Sequence, residues 1–393
     1  MHGLNRRVTA YHHLSEEHRQ LLARTEKLAA QVLTPIAHAG TPGEVNRPLL
    51  AALAEHGLLP MVFESGVSAM RLCLLREGLA RHCTEAETAL AVQGLGAYPI
   101  VRAGRPEVVA EWLPPIAAGS VAAAFALTEP DAGSDAAALA LRATRDRGGF
   151  RLDGEKAYIS NAPDAEVYSV FARTTQGAGR RGITAFAVPR SSAGLTGERI
   201  ALLSPHPIGR LRFDGVLVPD SHVLGEVDGG WRVAMDTLDL FRPSVGAFAV
   251  GMAQAALDAA VAHAAGRRAF GRQLSEFQGL THQLADVATR LRAARLLVHA
   301  AAGAYDAGAG SAEAAAMAKL FGTETAQHAV DVAIQVHGAR GLERGHLLEH
   351  LYREVRAPRI YEGTSEIQRE IIARSLFGSG VSSSTTTRGD GGT

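Results

Sequence analysis

The sequence predicts an α+β fold, mostly helical, with a helical domain (residues 1–118), a central β-domain (119–226) and a C-terminal helical bundle (227–378). Three observations predict it. Apolar residues recur at helical spacing from Ser15 to about Ala118, and short β-branched and aromatic runs broken by glycine and proline fill Val121 to Glu226. Helical text returns from Gly229, and there Val245 to Ala265 carries almost no charge, as expected of a helix buried in a bundle or an oligomer.

In chain order, Leu21, Leu22, Leu28, Ala29 and Val32 mark a first helix that Pro35 is expected to stop. Arg47–His56, Val67–Arg81, Glu85–Gln93 and Pro106–Ala118 repeat the pattern, the last carrying Trp112 and Leu113 ahead of a Pro-Pro pair. Phe150–Gly154, Val167–Phe171, Ile183–Val188 and Gly209–Gly215 read as strands of a small antiparallel barrel or sandwich. Residues 379–393 are mostly Ser, Thr and Gly without apolar periodicity, so a disordered tail is expected.

A chain of 393 residues with 47% hydrophobic and 20% charged side chains can bury a large core, which excludes a disordered or disulfide-stapled protein. Forty basic and forty acidic residues cancel without a block of like charge, so nucleic acid is not the expected partner. Cys73 and Cys83 lack paired metal-site spacing, and neither a disulfide nor a metal centre is expected. The polar start is unlike a signal peptide, and no apolar stretch reads as long enough to span a bilayer, so a cytoplasmic protein is expected. The three lysines, Lys27, Lys156 and Lys319, among 40 basic residues read as the composition of a GC-rich genome. There is no fixed repeat, and no GxGxxG or P-loop in a strand-to-helix context.

Four strings carry candidate chemistry. In Phe125-Ala-Leu-Thr-Glu-Pro-Asp-Ala-Gly-Ser-Asp135, a strand ends in a turn that is either an ordinary acidic loop or a backbone-rich surface for a flat polar heterocycle. In Ile360-Tyr-Glu-Gly-Thr-Ser-Glu-Ile-Gln-Arg369, Ser365 and Gln368 fit a capping box opening a helix to Leu376. Glu362, just ahead of that helix, either offsets its dipole or serves as a general base. Arg267-Arg-Ala-Phe-Gly-Arg-Gln-Leu-Ser-Glu-Phe-Gln278 places cations at the end of the buried helix, and Gln335-Val-His-Gly-Ala-Arg-Gly341 reads alone as a helix stop with a glycine cap.

Together and in this order the strings resemble the acyl-CoA dehydrogenase family, over nearly the whole chain to about Phe377. The resemblance implies an N-terminal helical domain, a central β-domain and a C-terminal four-helix bundle. It implies FAD as cofactor, with Phe125, Leu127, Thr128, Gly133, Ser134, Tyr158 and Ser160 around the isoalloxazine. Arg267, Phe270, Gln278, Gln335 and Gly338 would hold the pyrophosphate and adenosine of a neighbouring subunit's FAD, and Thr364 and Glu366 would touch FAD as well. Such sharing implies a homodimer, usually paired into a tetramer. Asp239, Arg242, Ser134, Tyr361 and Gly363 would flank an acyl thioester, and electron-transfer flavoprotein is the implied electron acceptor.

One branch of the family has its catalytic glutamate where this chain has Phe241, leaving Glu362 as the carboxylate that fills a family base position. The implied reaction is α-proton abstraction by Glu362 with β-hydride transfer to flavin N5, giving a trans-2-enoyl thioester. Three places depart from the family pattern: a shortened loop at Glu64-Ser-Gly-Val67, Ala339-Arg340 in place of Gly-Asn, and Ala269 in place of a hydroxyl or amide residue. Coenzyme A and an acyl carrier protein, as in polyketide or other secondary metabolism, present the same phosphopantetheine arm, so both remain open as carriers. An acyl oxidase and a flavin-binding relative without dehydrogenase activity are the rival readings. Tyr98 near the pocket floor and Phe241 and Phe248 on the facing helix imply short to medium acyl chains of about four to eight carbons.

Overall fold

The computed structural model describes residues 11, 13–63 and 66–378, so the tail and residues 64–65 of the shortened loop lie outside it. Helix α1 (Glu16–Leu28) starts at Ser15, whose Oγ accepts from the His18 N–H at 3.2 Å. Pro35 does not stop it: the chain passes through a π-helical turn, Ala29–Leu33, into α2 (Thr34–His38). The widened turn accommodates the ring that would otherwise strike a carbonyl one turn back, and the Thr34 hydroxyl donates to Ala29 O at 2.8 Å.

Helices α3 (Arg47–Glu55) and α4 (Ala69–Ala80) follow, capped by Asn46 and Ser68. Helix α5 (Thr84–Ala103) runs well past Gln93 and contains Pro99, which is buried, so packing overrides proline's local preference. Helix α6 (Pro106–Ala117) likewise keeps Pro114 and Pro115 in its last turn.

The middle of the chain gives β1 (Ala123–Ala126), β2 (Arg142–Asp146), β3 (Gly149–Ser160), β4 (Val167–Arg173), β5 (Ile183–Pro189), β6 (Leu195–Arg199), β7 (Ile208–Pro219) and β8 (Val223–Leu224). They form one sheet in the order β6-β7-β3-β2-β4-β5-β8, with β1 on β4. The pairing is mainly antiparallel, as expected, but β1 runs parallel to β4, and β2 meets β4 in a parallel pair at Arg142 and Arg173. Phe150 on β3 and Phe186 on β5, separated in the sheet by β2 and β4, meet edge to face at 5.3 Å, so the sheet folds over onto itself around a shared core.

The axis of the C-terminal region is α7 (Gly230–Gly266), 37 residues containing Pro243. It corrects the expectation about apolar stretches, because an 18-residue window with mean hydropathy 1.5 is long and apolar enough to cross a membrane; 67% of that window is buried inside the protein. Helices α8 (Gln278–Asp306), α9 (Ala312–His337) and α11 (Ser365–Phe377) complete the bundle, with α10 (Leu347–Glu354) at one end. A two-stranded hairpin, β9 (Arg268–Ala269) and β10 (Arg272–Gln273), joins α7 to α8.

Helices α7 and α9 cross at two glycines. A Cβ on Gly246 would lie 2.8 Å from Ala318 O, and one on Gly322 would lie 3.0 Å from Gly246 Cα. The backbones therefore touch where any side chain would wedge them apart. Gly246→Ala should destabilise the protein by about 1–3 kcal/mol in denaturant unfolding, whereas Gly303→Ala in α8, where the new methyl meets only Met70 Cε at 3.8 Å, should leave stability unchanged or raise it.

Candidate active site

Glu362 lies in a turn between a short 3-10 segment, Ala357–Arg359, and α11. Both Glu362 and Gly363 have left-handed backbone, φ 51° and 91°. At Gly363 that φ favours glycine, and a Cβ would come within 2.6 Å of Gln368 Nε2 and displace its amide from the turn. The carbonyl of Gly363 accepts from Lys319 Nζ at 2.6 Å and from Gln368 Nε2 at 2.9 Å. The helix cap is Thr364, whose Oγ1 accepts from the Ile367 N–H, and not Ser365 as expected. Ser365 donates instead to Glu324 at 2.7 Å, and Gln368 turns back to the carbonyls of Glu362 and Gly363. The expected capping box is thus a clamp on the turn that carries Glu362.

The Glu362 carboxylate has a buried oxygen, Oε2, without a hydrogen-bond partner. Burial pushes its pKa above the usual carboxylate range, and the charges of Arg76, Lys319 and Arg242 offset that only in part. Arg242 pairs with Asp239 at 2.9 Å on α7, while its Nε is buried and unpartnered. Burial also raises the Asp239 carboxyl, against the pull of Arg242. Lys319 is fully buried, and that burial lowers its ammonium to about 8. Tyr361 stays 37% exposed beside Glu362. The aromatic wall predicted by the sequence is present: Tyr98 meets Phe241 edge-on at 6.2 Å, and Phe241 and Phe248 are both buried. Gly94 lets this wall close, because a Cβ there would come within 2.9 Å of Phe241 Cζ.

A second surface joins the turn after β1 to the end of β3. Lys156, fully buried, donates to Leu127 O at 2.8 Å and to Glu129 Oε1 at 2.7 Å. Glu129 also accepts from the backbone of Ala140 and Leu141, and the Ala157 N–H donates to Thr128 O at 3.0 Å. Leu127 and Thr128 are therefore locked beside Tyr158 and Ser160, with Phe125 packed on Phe171 at 4.9 Å. Gly133 and Ser134 stay exposed at the tip of the turn. The Tyr158 ring is 52% exposed on backbone at φ 57°, where β3 is bulged against β7.

The remaining predicted residues gather at the far end of the bundle. Phe270 tips the β9–β10 hairpin at φ 51°, 94% exposed, with Gly271 following at φ 80°. Arg267 and Gln278 flank the hairpin, and the stacked rings of His263 and His337, 4.2 Å apart, bring the α9 end with Gln335 and Gly338 alongside. Among the described residues no hydrogen bond or ring contact links this end to the 127–134 turn. Thr364 and Glu366 lie at the start of α11, Glu366 exposed and its carboxyl lowered chiefly by backbone and Thr364 hydrogen bonds. Two aromatic rings held outward by left-handed backbone, beside backbone-rich turns and the exposed Arg267, fit the planar rings and pyrophosphate of a dinucleotide.

The family profiles described as acyl-CoA dehydrogenase N-terminal, middle and C-terminal domains match residues 15–120, 124–216 and 228–377. The chain belongs to the acyl-CoA dehydrogenase family. It is 34% identical to cyclohexane-1-carbonyl-CoA dehydrogenase of Geobacter metallireducens, over 92% of this chain and 98% of that protein. Among solved structures, butyryl-CoA dehydrogenase of Megasphaera elsdenii is similar with a TM-score of 0.87 and 31% identity, covering 92% of this chain and 98% of that one. A glutaryl-CoA dehydrogenase of Mycobacterium smegmatis in complex with FADH2 is similar at a TM-score of 0.86 and 26% identity, covering 93% and 95%. This acyl-CoA dehydrogenase family member is a flavoprotein oxidoreductase with FAD as its cofactor.

Sequence reasoning missed Lys319, Lys156, Glu129 and the pair Arg76–Glu87, and assigned Gln368 to a capping box where it holds the Glu362 and Gly363 carbonyls. The scarcity of lysine was the available signal, since two of the three lysines are the buried clamps and only Lys27 is exposed.

Because the folded Glu362 pKa is raised, the folded state holds its proton to higher pH than the unfolded chain. Its contribution is favourable below the unfolded value and is lost as pH rises through the folded one. Glu362→Gln should therefore match wild type in thermal unfolding at or below about pH 4 and become the more stable protein as pH rises through the raised Glu362 value.

Proposed function

We propose that the chain dehydrogenates a short- to medium-chain acyl thioester of coenzyme A to the trans-2-enoyl thioester, with Glu362 as the general base. The observation that carries this reading is the unpartnered, buried Oε2 of Glu362 on a clamped turn, with a raised pKa. A base of that kind takes an α proton from a carbon acidified by the thioester. The Glu362 N–H makes no protein hydrogen bond among the described residues, which leaves it for the thioester oxygen as negative charge develops there. FAD, when bound, supplies the acceptor for the β hydrogen and its electron pair, so the substrate loses two hydrogens and the cofactor gains the two electrons.

Phe125, Leu127, Thr128, Gly133, Ser134, Tyr158 and Ser160 would seat the flavin ring, and Thr364 and Glu366 would touch it from α11. Arg267, Phe270, Gln278, Gln335 and Gly338 would hold the adenosine end belonging to a neighbouring subunit. Their exposure at an end of the bundle with no link to the 127–134 turn supports that sharing, and hence a homodimer or homotetramer. Asp239, Arg242, Ser134, Tyr361 and Gly363 would flank the thioester, which Tyr98, Phe241 and Phe248 limit to about four to eight carbons. Electron-transfer flavoprotein would then reoxidise the enzyme.

The purified protein should carry about one FAD per chain and sediment as a dimer or tetramer; a colourless monomer that takes up no FAD would overturn the cofactor assignment. Glu362→Gln should keep FAD and bind thioester but lower anaerobic flavin bleaching by at least about a hundredfold. Glu366→Gln should instead weaken FAD retention more than it slows bleaching of the remaining holoenzyme. Near wild-type bleaching in Glu362→Gln would show the proton leaving elsewhere.

A further inference from the structure

The reaction as read has no use for a buried ion pair beside its base, yet Arg76 on α4 and Glu87 on α5 form one. Arg76 Nε donates to Glu87 Oε1, and the two side chains are only 3% and 1% exposed. Arg76 Nη1 donates to Ser244 Oγ on α7 at 2.7 Å, and Ser244 in turn donates to Phe241 O at 2.6 Å. The guanidinium carbon stands 5.8 Å from the Phe248 ring. The second oxygen of Glu87 accepts from the Thr88 hydroxyl at 3.3 Å. Among the described residues Arg76 Nη2 has no protein acceptor. Nη2 is not among the fully buried unpartnered atoms, so it opens onto space where a ligand can supply the acceptor.

The pair borders the reacting centre. Phe241, Ser244 and Phe248 are spaced three and four apart, so they share one face of α7, and that face meets Arg76. Across the space from it, Arg76 acts on both Tyr361 and Glu362, and Glu87 acts on Tyr361.

We propose that Arg76 and Glu87 form a polar wall of the acyl pocket and select an acyl group carrying an uncharged oxygen acceptor beyond the β carbon, such as a hydroxyl or ether, over a plain alkyl chain. The proposal rests on the reading of Glu362 as base and narrows its substrate class. Arg76 Nη2 supplies the donor. Glu87 already matches the Arg76 charge, so a substrate carboxylate would meet no unpaired cation at this wall, and an ammonium would meet a donor where it needs an acceptor. An alkyl chain filling that space would cover Nη2 without giving it an acceptor, the kind of mismatch that discriminates strongly between substrates.

The test compares holoenzyme kcat/KM for size-matched thioesters of coenzyme A: 4-hydroxybutyryl against pentanoyl, 4-methoxybutyryl against hexanoyl, and glutaryl against hexanoyl. Wild type should favour each neutral oxygen-bearing substrate at least about tenfold and should not favour glutaryl. In the double variant Arg76→Met/Glu87→Leu the preference for oxygen should disappear. That variant should fold, since replacing both members of a buried pair by apolar side chains is usually tolerated. Glu87→Gln, which leaves the Arg76 charge uncompensated, should raise the glutaryl-to-hexanoyl ratio at least about tenfold. Equal or better use of the alkyl partners by wild type overturns the proposal, as does an unchanged ratio in the double variant. A wild-type preference for glutaryl overturns the claim of neutrality. If no thioester bleaches the wild-type flavin, the reading of Glu362 fails first, and that outcome is distinct from bleaching by alkyl thioesters alone.

Discussion

The carbonyl of Gly363, held by the Lys319 ammonium and the Gln368 amide, fixes the turn that carries Glu362. Left-handed backbone at a non-glycine residue costs roughly 1–2 kcal/mol, and Glu362 adopts it at φ 51°. A hydrogen bond from a charged donor contributes about 1.5–3 kcal/mol, and the neutral amide bond adds about 1 kcal/mol, enough to outweigh that strain. The turn is therefore set by donors from α9 and α11 acting together. Neither helix would place Glu362 alone, so the geometry of its carboxylate depends on how the bundle packs. That is why the glycine crossing of α7 and α9 matters: Gly322 and Lys319 are one turn apart on the same helix.

The β-domain solves the same problem with the same chemistry. Lys156 reaches from β3 to the carbonyl of Leu127 and to Glu129, holding the turn after β1 against the strand that carries Tyr158. Lysine suits both places because each requires a compact point donor at the end of an apolar stem, whereas arginine's planar fork would bring five donors into a space that offers one or two acceptors. Burial lowers both ammoniums to about 8, so the clamps are strongest below that pH and weaken as it is exceeded.

This also explains what could be read from the sequence and what could not. The succession of helices, strands and helices was legible because it rests on periodicity, and the strings around Thr128 and Glu362 were legible because they are contiguous. Pro35 misled because a stop inferred from one residue was overruled by a π turn that the rest of the helix supports. Ser365 and Gln368 satisfied a capping pattern locally, but Glu324 and the Gly363 carbonyl, 41 and 5 residues away, competed for the same side chains. Arg76 and Glu87 are 11 residues apart on two helices, at no spacing that marks a pair. The lysines were visible as a count, yet their meaning required knowing that they are buried.

The base also depends on what its neighbouring cations do not do. Arg76 is paired with Glu87, Arg242 with Asp239, and Lys319 with the Gly363 carbonyl. Each therefore acts on Glu362 through space, and none donates directly to its carboxylate. Direct donation by even one of them would stabilise the ionised form enough to hold the pKa at or below the ordinary carboxylate range, and the group would then be too weak a base for an α proton. Burial raises the Glu362 carboxyl, and the charges of three cations engaged elsewhere pull against that rise. The carboxylates of Glu87 and Asp239 thus serve the base indirectly, by keeping the arginines beside it occupied.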